Sequence, residues 1–185
     1  MNQTKWTREQ TKKWDQRFAN VCEAIADWSS CLSRQIGAVI VRDKTIVSTG
    51  FNGPPRGVVH CGPDRIEKDP YFITHHIDPK LRNICPRRAL GYGSGEGLHI
   101  CSASHAEENA IVNAARLGIS TLGTSIYMNC GIPCKDCLKK IINAGIEEII
   151  CLDTHSWYDE LSKFLVKESN LKVRAFYHLD ERKET

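Results

Sequence analysis

His105-Ala106-Glu107 is followed, 26 residues after Glu107, by Pro133-Cys134-Lys135-Asp136-Cys137. This H-x-E … P-C-x-x-C pattern constrains the fold more than any other feature of the chain. Its parts make chemical sense only if two distant segments meet. His105, Cys134 and Cys137 are three nitrogen or sulfur donors that would hold a zinc ion and leave a fourth position open for water. Glu107 lies too near His105 in sequence to serve as that fourth ligand, but it is well placed to handle the water's protons. A C-x-x-C pair alone is shared by redox motifs and zinc fingers. The added H-A-E and Pro133 favour a catalytic zinc over a purely structural zinc module or a redox pair.

A chain of 185 residues suits one domain with a proper core, so residues 1–185 are expected to form a single domain. The formal net charge is +3, from 25 basic and 22 acidic side chains. That balance argues against a surface for duplex nucleic acid, but not against a small anionic substrate. No apolar run is long enough to span a membrane. Met1 to Arg17 is polar and lacks the apolar stretch of a signal peptide, which points to the cytoplasm. Nine cysteines is a high, odd count. Without an export signal, metal ligation explains them better than disulfides. Cys22, Cys130 and Cys151 sit in apolar or helical stretches and are expected as small core residues. Cys31, Cys61, Cys85 and Cys101 then remain to be explained.

Arg8 to Ser30 has an apolar stripe near helical spacing, made by Trp14, Phe18, Val21, Cys22, Ile25, Ala26 and Trp28. Ile36 to Val41 is a β-branched run that predicts a buried strand, turned by Arg42-Asp43-Lys44 into a second strand over Thr45 to Thr49. Gly50 to Gly97 is rich in proline and glycine and has no clear period. It predicts a long loop or insertion, at about residues 51–101, that is functional or pinned by something other than its own core. A regular alternation follows. Helices are expected over His105 to Leu117, Cys134 to Ala144 and Asp159 to Ser169, the first two stopped by Gly118 and Gly145. Strands are expected over Thr124 to Asn129, Glu147 to Leu152 and Leu171 to Tyr177, with a frayed tail from Asp180 to Thr185. Such alternation implies an α/β fold with βαβ units and a largely parallel sheet.

Both donor segments open helices. Pro133 suits a first turn, and Cys134 and Cys137 lie one turn apart where the helix dipole favours thiolates. Two strand-to-helix junctions at one sheet edge is where α/β folds bind ligands. A metal there would lower the pKa of bound water toward about 7. Glu107 would then take a proton from that water and return it to the reacting substrate. Glu108 is expected only as a solvated first-turn acid. Arg34, just before the first strand, is the candidate phosphate contact, because a guanidinium matches phosphate geometry.

These motifs, with Gly37-Ala38-Val39-Ile40-Val41, Gly50-Phe51-Asn52-Gly53-Pro54-Pro55 and Asn143-Ala144-Gly145-Ile146, resemble the deoxycytidylate (dCMP) deaminases of the cytidine/deoxycytidylate deaminase superfamily. The superfamily also includes tRNA adenosine, riboflavin-pathway and guanine deaminases, which share the zinc motif. The Gly50-Phe51-Asn52-Gly53 segment and the cysteine-rich insertion favour the dCMP branch. Phe51 stands where the family usually has tyrosine. The resemblance implies a three-layer fold, with a mixed, mostly parallel five-stranded sheet and helices on both faces. It implies hydrolysis of dCMP to dUMP and ammonia, supplying dUMP for dTTP synthesis, with Glu107 catalytic and Asn52, Arg34 and Ala106 as substrate contacts. It also implies a homohexamer activated by dCTP and inhibited by dTTP, with Mg2+ on the triphosphate and Gly50, Phe51, Asn52 and Gly53 in the effector site. The location would be the cytoplasm, or a host's cytoplasm if the chain is viral. Another cytosine-nucleotide or tRNA adenosine deaminase is the alternative enzyme, and a zinc-stabilised interaction or DNA-uptake-associated protein the non-enzymatic one.

Cys31, Cys61, Cys85 and Cys101 lack zinc-finger spacing. Four thiolates on one structural zinc would nonetheless pin a loop without a core, and some members of the resembling family, phage ones included, carry a second zinc in this region. His60, His75, His76 or His99 could replace one cysteine in that set.

Overall fold

The computed structural model describes residues 7–93, 95–157 and 159–177, so the expected frayed tail lies outside the described residues. The chain runs α1 (Arg8–Ala26), β1 (Gly37–Arg42), β2 (Thr45–Phe51), α2 (Pro63–Lys68), α3 (Pro70–Thr74), α4 (Pro86–Ala89), α5 (Ala106–Arg116), β3 (Thr124–Met128), α6 (Lys135–Asn143), β4 (Ile146–Cys151), α7 (Glu160–Ser169) and β5 (Lys172–Ala175). Thr7 and Gln10 start α1 with a reciprocal pair of side-chain bonds to each other's backbone N–H, at 3.2 and 3.0 Å. Asp43 and Lys44, at φ 47° and 65°, make the two-residue turn between β1 and β2, whose twist suits a hairpin.

The sheet is mixed and five-stranded, in the order β2-β1-β3-β4-β5. β1 is antiparallel to both β2 and β3, whereas β3, β4 and β5 pair in parallel. Four strands therefore point one way and β1 alone opposes them. Alternation along the strands sorts the core into two faces. Val39, Val41, Tyr127 and Ile150 meet Phe18, Cys22 and Ile25 of α1. Ala38, Ile40, Ile126, Met128, Ile149 and Cys151 meet Ala106 and Ala110 of α5 and Leu138 and Ile141 of α6. The result is three layers, with Cys22, Cys130 and Cys151 buried in them as small apolar residues. Among the described residues, no helix is long and apolar enough to cross a membrane.

Three expectations need correction. α1 ends at Ala26 rather than Ser30, so Trp28 lies beyond the helix. Its ring is 65% exposed and edge-on to Phe51 at 6.2 Å. The buried stripe of α1 also contains a charge. Asp15 is fully buried and accepts from both terminal nitrogens of Arg174 at 2.6 and 3.0 Å, and from the Tyr177 backbone N–H at 3.0 Å. Arg174 in turn reaches Glu148 at 3.0 Å, tying α1 to β4 and β5.

The third correction concerns the insertion, which has a core of its own. Ile66, Phe72, Ile77 and Ile100 form a separate buried cluster. Its short helices each begin with proline, which is tolerated in a first turn because that N–H has no helical partner. Prolines that signal a loop in the sequence here open helices too short to show a period. Arg65, buried among them, donates to Asp69 and to the Ile100 carbonyl at 2.6 Å, and its guanidinium lies over the Phe72 ring.

Candidate metal centre

His105 and Cys134 are the residues immediately before α5 and α6, each in extended backbone conformation. That conformation turns both side chains out of their helices and toward one another. His105 Nδ1 lies 3.5 Å from Cys134 Sγ and 3.3 Å from Cys137 Sγ. Among the described residues, these three are the one group of His, Cys, Asp or Glu whose donor atoms all fall within 4.8 Å of each other. A tetrahedral zinc with ordinary bonds to nitrogen and sulfur holds such donors about 3.6 Å apart. The donor set and its spacing therefore fit zinc.

Cys134 and Cys137 share a proton, and the hydrogen bond from Cys137, with a further one from His105, lowers Cys134 and favours a thiolate within the pair. His105 is raised chiefly by its hydrogen bond to Cys134. Glu107, the second residue of α5, is only 4% exposed, and burial pushes its carboxyl above the usual range. A buried carboxylate beside three metal donors is placed to take a proton from a water held there and return it to a reacting atom.

α5 is fastened to β2 by polar bonds that the sequence did not announce. Asn109 donates to the Phe51 carbonyl at 2.8 Å, Asn113 to the Thr49 carbonyl at 2.9 Å, and Ser48 to the Ala110 carbonyl at 2.7 Å. Asn109 and Asn113, four apart on an alanine-rich helix, were the available signal. Gly53 and Ser104 exchange backbone hydrogen bonds at 3.2 and 2.8 Å, which carries the Gly50–Gly53 segment to the residue next to His105. Glu108 is more than a solvated acid, since it pairs with Lys140 of α6.

The model that matches this chain, over residues 12–153, describes the cytidine and deoxycytidylate deaminase zinc-binding region. The chain belongs to that family. It is 31% identical over 168 residues to the deoxycytidylate deaminase of Saccharomyces cerevisiae, covering 91% of this chain and 46% of the yeast protein. It is 32% identical over 176 residues to that of Mus musculus, covering 91% of this chain and 83% of the mouse protein. The chain thus spans less than half the length of the yeast relative. A crystal structure of dCMP deaminase from the cyanophage S-TIM5, in complex with dCMP and dUMP, shares the fold with a TM-score of 0.61 at 20% identity, covering 88% of this chain and 96% of that one.

The remaining family-implied residues fall in different settings. Asn52 is buried. Its side-chain oxygen accepts from Ile36 N–H and Ser29 Oγ, and its Nδ2 donates to the Arg34 carbonyl at 2.8 Å. Its oxygen is committed, which leaves one Nδ2 proton for a ligand. Arg34 is held through that backbone contact while its side chain is exposed, near enough to act on Cys130, which Glu107 also influences. Ala106 is fully buried, so its methyl is a core group. Gly50 and Phe51 lie in β2, against α5 and Trp28 respectively.

The four remaining cysteines are neighbours without forming a cluster. Cys61 feels both Cys85 and Cys101, and Arg65 lies 3.6 Å from its sulfur. Ser30, beside Cys31, contacts His60, beside Cys61. No three of their donor atoms meet the spacing found at His105, Cys134 and Cys137.

Proposed function

We propose that the chain catalyses hydrolytic deamination of dCMP to dUMP and ammonia. The observation that carries this reading is a buried carboxylate, Glu107, beside a His/Cys/Cys donor set with zinc spacing, in a chain similar to deoxycytidylate deaminases over most of its length.

In this reading His105, Cys134 and Cys137 hold the zinc. When bound, zinc supplies Lewis-acid activation of water at neutral pH. Glu107 accepts a proton from that water and delivers it to N3 of the cytosine ring. It then takes the remaining proton from the hydroxyl now on C4 and passes it to the amine, so the C4–N bond breaks, a C4 carbonyl forms and ammonia leaves. Its buried setting suits this shuttle, because burial raises its carboxyl above the usual range and so favours proton uptake. Arg34 contacts the substrate phosphate and the remaining Nδ2 proton of Asn52 contacts the sugar.

The proposal extends to a structural zinc on Cys31, Cys61, Cys85 and Cys101, supported by the adjacency of Cys61, Cys85 and Cys101. It also extends to a cytoplasmic homohexamer activated by dCTP and inhibited by dTTP, each arriving with Mg2+, and supplying dUMP for dTTP synthesis. In support of an anionic effector, Arg56 and Arg116 line an open hollow of about 380 Å³ beside β2, together with Ser48, Thr49 and Asn113 and the apolar Ile46, Val47 and Leu117.

The experiment is a substrate panel. Zinc-loaded protein is incubated with cytosine, cytidine, CMP, deoxycytidine, dCMP, dCTP and adenosine-containing RNA, with and without dCTP or dTTP, and ammonia is measured. Fastest release from dCMP supports the reading. Release from RNA or from nucleosides alone would replace it, and no release from any would favour a non-enzymatic role.

A further inference from the structure

We propose that the Glu108–Lys140 ion pair positions the metal donors, by fixing the body of α6 against the first turn of α5. This rests on the zinc reading of His105, Cys134 and Cys137. Glu108 follows Glu107 and lies three residues after His105, while Lys140 lies three residues after Cys137. The two meet at 2.5 Å across 32 residues of sequence. Among the described residues, this is the one polar side-chain contact between α5 and α6 outside the donors themselves.

The contrast with the other side of α5 gives the pair its role. Three side-chain-to-backbone hydrogen bonds and a close-packed glycine lock α5 to β2. Toward α6 the packing is apolar, with Ala106, Ala110 and Ile111 of α5 in the same cluster as Leu138, Ile141 and Ile142 of α6. Apolar packing supplies no directional bond that fixes the height of one helix against the other. Sliding of one helix along the other would change the distance from His105 to both sulfurs. A charge pair at one turn's distance from the donors restrains that motion. Both partners are partly exposed, so water screens the pair and global stability depends on it little.

The test compares Glu108→Gln, Lys140→Met and the reversed pair Glu108→Lys with Lys140→Glu against the wild-type protein. Three quantities are read: the rate of zinc release to a chelator, the visible spectrum of the cobalt-substituted protein, and Tm. Each single change is expected to weaken metal retention by roughly tenfold, the low end for outer-shell partners, and to shift the cobalt bands while Tm stays close to wild type. The reversed pair is expected to recover most of that loss. Wild-type release rates and cobalt spectra in both single variants would overturn the proposal, as would a reversed pair no better than the singles. If the wild-type protein takes up neither zinc nor cobalt, the metal reading falls and this proposal with it. Normal uptake with indifferent variants removes the ion pair alone.

Discussion

Gly50 of β2 lies directly beneath Ala106 of α5. A Cβ on Gly50 would stand 2.3 Å from the Ala106 carbonyl oxygen and 2.2 Å from the Ala110 nitrogen. Those are backbone atoms, so nothing flexible can give way. Gly50 is what allows α5, and with it His105 and Glu107, to lie against the strand.

Gly50→Ala should therefore push α5 away from the sheet. The overpacking should cost at least the usual 1–3 kcal/mol or so, and the shifted helix should slow turnover by about a hundredfold. Denaturant unfolding and the rate with dCMP check both. Wild-type stability and rate would mean that β2 and α5 are farther apart than described.

Removing the charge in the α1 stripe should be severe. Asp15→Ala leaves Arg174, largely buried, with only Glu148 as a carboxylate partner. The expected destabilisation is about 3 kcal/mol or more, seen as a lower unfolding midpoint. A loss below 1 kcal/mol would show that the remaining partner suffices.

Much of the architecture was legible in the sequence. The β-branched run of β1 is visible because every inward position is apolar and both faces are covered. α5 and α6 are visible because Gly118 and Gly145 stop them at positive φ, 69° and 71°. The donors are visible because their chemistry allows few residue types. Less was legible where the deciding interaction is distant. Asp15 reads as an interruption of a stripe until Arg174, 159 residues away, supplies its partner. Nothing local says that β1 joins β3 antiparallel. The insertion hid its core because α2, α3 and α4 are shorter than two turns, too short for a hydrophobic period.

Arg34→Ala should discriminate between substrates. The guanidinium is exposed beside the site, and a charged hydrogen bond to phosphate contributes roughly 1.5–3 kcal/mol. Loss of kcat/KM should follow that figure for dCMP and be small for deoxycytidine, which has no phosphate. Equal losses on both would make Arg34 a structural residue.

Metal content separates the two proposed zinc sites. Elemental analysis is expected to give about two zinc ions per chain if four thiolates close on the second. Cys85→Ser should then remove one zinc and loosen the segment between Gly50 and Ile100, measured by hydrogen exchange, before the zinc at His105 is lost. One zinc in intact wild-type protein would leave the insertion to its own core and Arg65.

The most direct measurement is turnover of dCMP by Glu107→Gln at matched zinc occupancy. The amide preserves shape and leaves His105, Cys134 and Cys137 in place, but it cannot carry a proton. Zinc content and unfolding midpoint should match wild type while ammonia release falls by at least about a hundred- to ten-thousand-fold. Turnover within tenfold of wild type, with zinc retained, would contradict the assignment of Glu107 as the proton carrier.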